Sequence, residues 1–505
     1  MGELRKILVA TFGVVPTFTG ASGRLTELLR GLTPLFSVDA LSVKPEGLAH
    51  IERYYGARLM RVPMLRRDLA SRAQTFERAV RRQVESDDYE IVHVTDPFAG
   101  YPVLQRRGQS GHKVVYDAHS LLSLEWQLTA SDALEDLRFA TRLRRLERHC
   151  LLASDLVLTS SEAMRGYLAA SGVQSERLRV VPPPVETAEL RETPPPPDGD
   201  GLRLCYLGAG EPWEGLEPVL RALRLAQDGG LRARLEIAGP LSSAGRRLLR
   251  TALPALRLGE FVEASGPVSR EKLGELFERS HACLAPFAAP LPTGPIGLGA
   301  QKLADCLASG RPVLCADTPL HRELAGADGA LFHRPGDAAE IAAALGRLAD
   351  PALRAALGDR GRRRARQTLD AGLARRALLQ AYYGLLDPSV VVAPEVFAVQ
   401  DRTGLLEGDG PTMTLEGLDA LPGDFEPATH PEAAAEPATN VLRLDPEAAT
   451  ALAAPLPLPT PVGPAPVAPP AEPPTSSAAP APPLPEPPPV PPGNEDWFSS
   501  FLPGK

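Results

Sequence analysis

"YLGAGEPWEGLEPVLRAL", residues 206–223, reads as the end of a buried strand, a glycine turn and the opening of a helix. Junctions of this kind bind phosphate in many proteins, because the first backbone N–H groups of the helix are unpaired and point outward. The turn itself carries no basic residue. It offers Ala209, Glu211, Trp213 and Glu214, so a phosphate bound here would need its neutralising charge from another part of the chain.

Outward from this stretch, strands and helices alternate. Downstream come "ARLEIAGP", "FVEASGPV", "ACLAPF" and "PVLCAD" as strands, separated by the helical "RRLLRTALPAL", "EKLGELFERS" and "KLADCLASG" and followed by "AAEIAAALGRLAD". Upstream, "KILVATFG", "SVDALSV", "ARLMRVP", "YEIVHVTD", "KVVYDAHS" and "DLVLTSS" read as strands interleaved with helices in the same way. Continuous apolar strands separated by helices imply parallel sheets covered on both faces. The segment "RVVPPPVETAELRETPPPPDGDG" interrupts the pattern, since its prolines exclude both a helix interior and a central strand. The reading is therefore α/β, with two Rossmann-like doubly wound domains: residues 1–186, a Pro-rich linker at 187–201, a second domain at 202–365, and a helix at 366–388 expected to pack back on the first domain. A ligand cleft between two such domains falls at the carboxyl ends of their strands.

From residue 389 to 505 the periodic patterning is lost, and between Pro455 and Pro492 half the residues are proline. Such a composition cannot bury a core, so this part reads as a disordered, acidic, Pro/Ala-rich tail. Its last residues, "NEDWFSSFLPGK", place Trp497, Phe498 and Phe501 where they suggest a docking motif for a protein partner. The net charge of −8 is unevenly shared. Residues 388–505 hold 16 acidic and 3 basic residues, a balance of −13 that leaves the rest at +5. A mildly basic, arginine-rich body suits an anionic ligand or peripheral contact with an anionic membrane, and a solvated charged face gives the same count. No nucleic-acid partner is expected. The five cysteines, at 150, 205, 283, 306 and 315, are scattered without a C-x-x-C pair, which points to the reducing cytoplasm. The run "KILVATFGVV" reads as a first strand because Glu3 precedes it and no small-residue cleavage site follows. No apolar run approaches the roughly 20 residues needed to span a bilayer.

Six blocks in order then carry a resemblance: "TGASG", "VVYDAHS", "RRLERHCLLASDLVLTSS", "YLGAGEPWEGLEPVLRA", "QKLADCLASGRPVLCAD" and "FHRPGDAAEIAAAL". Over about residues 5–385 the chain resembles a GT-B glycosyltransferase, similar to the family 4 retaining (group 1) enzymes. The resemblance implies a retaining, metal-independent transfer of a sugar from a nucleotide-sugar donor to a hydroxyl on a carbohydrate or lipid-linked acceptor. The donor is then a substrate, no cofactor or metal is expected, and no metal-binding D-x-D is evident. The location implied is cytoplasmic or peripheral at the inner membrane face.

The resemblance assigns roles residue by residue. His119, closing the strand in "YDAHS", matches the histidine that contacts the donor sugar near the reacting carbon. Gly20 to Gly23 form a glycine turn whose amides can face an anion, and Gly208 marks the second turn. Three departures stand against it. The arginine and lysine that clamp the donor diphosphate are replaced by Ala209 and Glu214, and the first of a pair of glutamates becomes Gly297. The second has an acidic stand-in, Asp305, placed to accept from ribose hydroxyls. In compensation, "PTGPIGLGAQKLADCLASG" combines Gly294, Gly297 and Gly299 with a helix start near Ala300 and Lys302 in its first turn. Glycines, helix amides and an ammonium together make a phosphate cradle. The positive charge is thus expected to have moved to Lys302, assisted by Arg24, with Glu214 facing away from the phosphates. The competing reading is a catalytically degenerate scaffold that acts through its tail.

Overall fold

The computed structural model describes residues 4–387 except 17–19, 34, 46, 66–67, 107–110, 130–133, 188–193, 198, 200, 269 and 289–296. The tail from residue 389, its terminal aromatics and Gly294 lie outside the described residues.

The first sheet is built from β1 (Lys6–Ala10), β2 (Ser37–Lys44), β3 (Ile51–Tyr54), β4 (Ala57–Pro63), β5 (Ile91–Val94), β6 (Lys113–Ala118), β7 (Leu156–Thr159) and β8 (Leu178–Val180). Their order is β3-β4-β2-β1-β5-β6-β7-β8. The central strands are buried on both faces, as β5 and β7 show at every residue, because helices cover the sheet above and below. All neighbours run parallel except β3 and β4, which pair antiparallel. Here the structure departs from the all-parallel reading. The link is only Tyr55 and Gly56, both at positive φ (45° and 87°), and a two-residue turn of that kind joins antiparallel strands.

The second sheet comprises β9 (Leu202–Leu207), β10 (Ala233–Ala238), β11 (Val262–Gly266), β12 (Ala282–Ala285), β13 (Val313–Ala316) and β14 (Leu331–His333), in the order β11-β10-β9-β12-β13-β14 and wholly parallel. The fold is thus α/β with two doubly wound Rossmann-like units. The glycine turn at 208–215 leaves β9, at the point where the strand order reverses.

The helix Ala371–Leu386 belongs by packing to the first unit. Leu378, Leu379 and Tyr382 share a core with Ile7, Val9, Leu28 and Phe36. Gly31 makes room for this crossing, since a Cβ there would lie 2.6 Å from Arg375 Cγ. Arg375 in turn pairs with Glu27 and Glu186. All five cysteines are buried free thiols. No helix among the described residues is long and apolar enough to cross a membrane.

The glycine turn expected at Gly20 to Gly23 is instead the first turn of the helix Gly20–Leu32. Upstream of it, the chain after β1 stays alongside β2 as far as Gly13, which accepts from the Val43 N–H at 3.0 Å, while the Phe12 N–H donates to Asp96 at 2.6 Å. From Gly23 to Leu29 this helix is buried at every position, so it is packed all round, and not along one stripe.

Candidate active site

At the carboxyl end of β6, the chain places Asp117 and His119 beside each other. Asp117 is 1% exposed and receives Arg24 in a forked pair, Nε to Oδ2 at 3.0 Å and Nη2 to Oδ1 at 3.3 Å. Arg24 also donates to the Pro182 carbonyl at 2.9 Å. Arg24 therefore does not assist Lys302 as expected, because its guanidinium is buried and committed to neutralising Asp117. Burial alone would raise the Asp117 carboxyl, but Arg24, with His93 and His119 nearby, holds it well below the ordinary carboxylate range. His93 Nε2 stands 3.8 Å from Asp117, and its Nδ1 meets Tyr382 Oη of the last helix at 2.5 Å.

His119 is half-buried, with Nδ1 3.2 Å from the Asp117 carbonyl. A carbonyl only accepts, so Nδ1 carries the proton and Nε2 is left as an acceptor. Desolvation lowers the imidazole below its usual range against the opposing pull of Asp117. His119 is thus neutral at neutral pH.

In the second unit the turn after β9 is held by an unusual partner. A short 3-10 turn, Pro212–Glu214, is capped reciprocally by Glu211 and Glu214. The Glu214 carboxylate, 6% exposed, accepts from the Glu211 N–H at 3.0 Å and lies 3.4 Å from Tyr206 Oη. Its other oxygen is ion-paired with Lys302 Nζ. Lys302 sits in the first turn of the helix Ala300–Ala308, 5.7 Å above the Trp213 ring. The sequence reading has Glu214 facing away from the phosphates, and the structure instead turns its carboxylate onto Lys302. Gly208 is required by this packing, since a Cβ there would stand 2.9 Å from Tyr206 Oη and 3.0 Å from Glu214 Oε1.

Gly299 (φ 78°) opens the Lys302 helix in a left-handed conformation, where a side chain would also strike the Phe287 ring at 2.9 Å. Phe287 packs on Trp213 and stacks on His321 at 4.9 Å. Burial pushes His321 down to about 4, and its Nδ1 bonds the Ala316 carbonyl, so it serves the wall as a neutral ring. Asp305, one turn beyond Lys302, is 4% exposed.

The two units meet at these elements. A Cβ at Gly297 would lie 1.7 Å from the His119 carbonyl oxygen and 2.7 Å from Ser160 Oγ. Bare backbone therefore touches bare backbone across the cleft, and the glutamate that the resemblance puts at 297 has no room. The helix Leu122–Thr129 lies against the Pro212–Glu214 turn. It is fixed in turn by Glu147, which accepts from the Leu122 and Ser123 N–H groups at 2.8 and 3.2 Å and from Ser123 Oγ at 2.6 Å. Burial raises Glu147 to about 7 in spite of these bonds.

One contact left no trace in the sequence. Glu323 of the second unit accepts from the N–H groups of Glu162 and Ala163, at 2.6 and 2.9 Å, and so caps the helix Glu162–Ala170 of the first. Glu323→Ala is expected to cost about 1 kcal/mol, an ordinary N-cap value. Amide hydrogen exchange at Glu162 and Ala163 should then speed up about fivefold. Unchanged exchange would show that the cap carries nothing.

Of the residues singled out in the sequence, His119, Gly297, Gly299, Lys302 and Gly208 converge on one cleft. Gly20 and Gly23 lie in the helix that carries Arg24, while Asp305 is buried in the helix that carries Lys302. Two doubly wound units whose strand ends close on a shared cleft define the GT-B class. Residues 18–189 match the family described as Glycosyltransferase Family 4, and residues 201–350 that described as Glycosyl transferases group 1. The chain belongs to these GT-B glycosyltransferases. The D-inositol 3-phosphate glycosyltransferase of Acidothermus cellulolyticus is 26% identical over 285 residues, 53% of this chain and 61% of that protein. The match thus spans about three-fifths of that relative's length. Among solved structures, sucrose-phosphate synthase from Thermosynechococcus elongatus superposes with a TM-score of 0.65 at 22% identity, over 76% of this chain and all of that one. HepE from Anabaena, in complex with UDP and glucose, gives 0.58 at 15%, over 75% and 99%.

Proposed function

We propose that this chain transfers a sugar from a nucleotide-sugar donor to a hydroxyl acceptor, with retention at the anomeric carbon and without a metal or further cofactor. The observation that carries this reading is the contact of Gly297 with the His119 carbonyl, which sets the strand end of one unit against the Lys302 helix of the other. A donor in that cleft would have its diphosphate near the Ala300–Ala308 helix start and its sugar near His119. Helix amides and the Lys302 ammonium then oppose the charge that develops on the leaving diphosphate. Neutral His119 offers Nε2 as an acceptor to a sugar hydroxyl. Solved neighbours described as complexes with UDP and glucose support a donor of this kind. The acceptor is proposed to be a carbohydrate or a lipid-linked sugar, met in the cytoplasm or at the inner membrane face.

The test is depletion of a panel of nucleotide sugars by the full chain, with product anomers read by NMR. His119→Ala is expected to lower kcat about a hundredfold or more while donor affinity changes little, since its contact matters at the reacting carbon. One observation favours the second reading, a scaffold without transfer chemistry: the cleft's lysine is already paired with Glu214. If calorimetry finds no nucleotide sugar bound to the parent, that reading wins.

A further inference from the structure

We infer that Glu214 is a built-in competitor for the phosphate-binding ammonium, and so the residue that sets how strongly this cleft holds a diphosphate. This rests on the proposed function and assigns a determinant within that site.

Glu214 does not swing freely: one oxygen is fixed by the Glu211 N–H and faces Tyr206 Oη, and the surrounding turn is closed by a reciprocal cap. Its second oxygen has one cation, Lys302. The lysine in turn is confined by the Trp213 ring beneath it. An anion is thus already seated on the ammonium at the helix start, in the place that a phosphate oxygen would take.

Two consequences follow from charge alone. The charges of Glu214 and Lys302 offset each other, so among the described residues of this turn the helix amides are what is left to attract an approaching diphosphate. Any diphosphate that reaches Lys302 also stands within a few ångströms of the Glu214 carboxylate, and like charges at such distances repel through a half-buried medium. Removing the carboxylate while keeping its shape leaves Lys302 as an uncompensated cation above Trp213. The Glu211 N–H still finds an acceptor in a glutamine carbonyl, so the turn keeps its cap.

Inorganic pyrophosphate is the probe, because it reports the phosphate cradle independently of base and sugar. Calorimetry on the full chain is expected to show Glu214→Gln binding pyrophosphate about tenfold more tightly than the parent, which corresponds to about 1.4 kcal/mol. Lys302→Met should bind about tenfold more weakly, and Glu214→Gln with Lys302→Met should fall to the level of Lys302→Met alone, since the competitor acts only through the lysine. The gain in Glu214→Gln should shrink as salt rises. Affinity for pyrophosphate that is unchanged or weaker in Glu214→Gln overturns the inference, as does a double variant that keeps the gain. Nucleotide-sugar turnover by the parent separates the two levels. Turnover with no gain in Glu214→Gln sinks this inference and leaves the proposed function, whereas a tenfold gain without any turnover removes the transferase reading and leaves an anion cradle gated by Glu214.

Discussion

Arg24→Met is expected to cost the first unit about 3–5 kcal/mol, the range for removing one partner of a buried ion pair. The size follows from what is left behind. Asp117 is almost wholly buried, and without the guanidinium its carboxylate is left beside the His93 and His119 rings with no arginine to oppose its charge. Arg24 also holds the Pro182 carbonyl, so the segment that follows β8 toward the linker loses a tether. With a urea slope of about 2 kcal/mol/M, the unfolding midpoint should move down by roughly 1.5–2.5 M. The pH dependence has a definite sign. The folded-state pKa of Asp117 is depressed, so its contribution is full above the unfolded carboxylate value of about 3.9 and is lost as pH falls through the folded value below it. The parent should therefore lose this stability only under strongly acid conditions, and Arg24→Met should no longer show that loss. A midpoint within about 0.3 M of the parent would mean that the pair contributes little.

Gly297→Ala should be the most damaging change of a single methyl group. A Cβ 1.7 Å from a carbonyl oxygen cannot be accommodated by rotating a side chain, because the atom it meets is backbone on the opposite unit. Either the loop or the strand end must retreat by an ångström or more. Misplacement of that order costs about a hundredfold in rate when reacting groups sit on opposite sides of the contact. Turnover of the nucleotide sugar found active on the parent should fall by about that factor. Thermal unfolding should stay close to that of the parent, since both cores are untouched. Parental turnover in Gly297→Ala would show that the contact is not needed during the reaction.

The strands and helices of both units were legible because their burial is local in sequence. "IVHV" and "LVLT" are mostly apolar and buried at every position, which happens only if both faces of the strand are covered, and that is what parallel sheets require. The β3 hairpin was not legible, because Ile51 and Glu52 lie on an exposed edge where the pattern carries no constraint. The glycines at 297 and 299 and the lysine at 302 suggest a phosphate cradle through their spacing in one segment, and the structure sets them at one helix start. The partner of that lysine did not announce itself, since Glu214 stands 88 residues away and only the meeting of the turn after β9 with the Ala300–Ala308 helix reveals that the two charges cancel.

The sequence by itself determined two doubly wound units, the glycine junction after β9 and the parallel run of the central strands, because hydrophobic period and turn chemistry act over a few residues at a time. Tertiary structure alone decided which charges are spent on each other. Arg24 went to Asp117, Lys302 to Glu214, and Glu323 to the amides of Glu162 and Ala163. An ion pair depends on distance through space and on the water removed around it, and neither quantity is set by position along the chain.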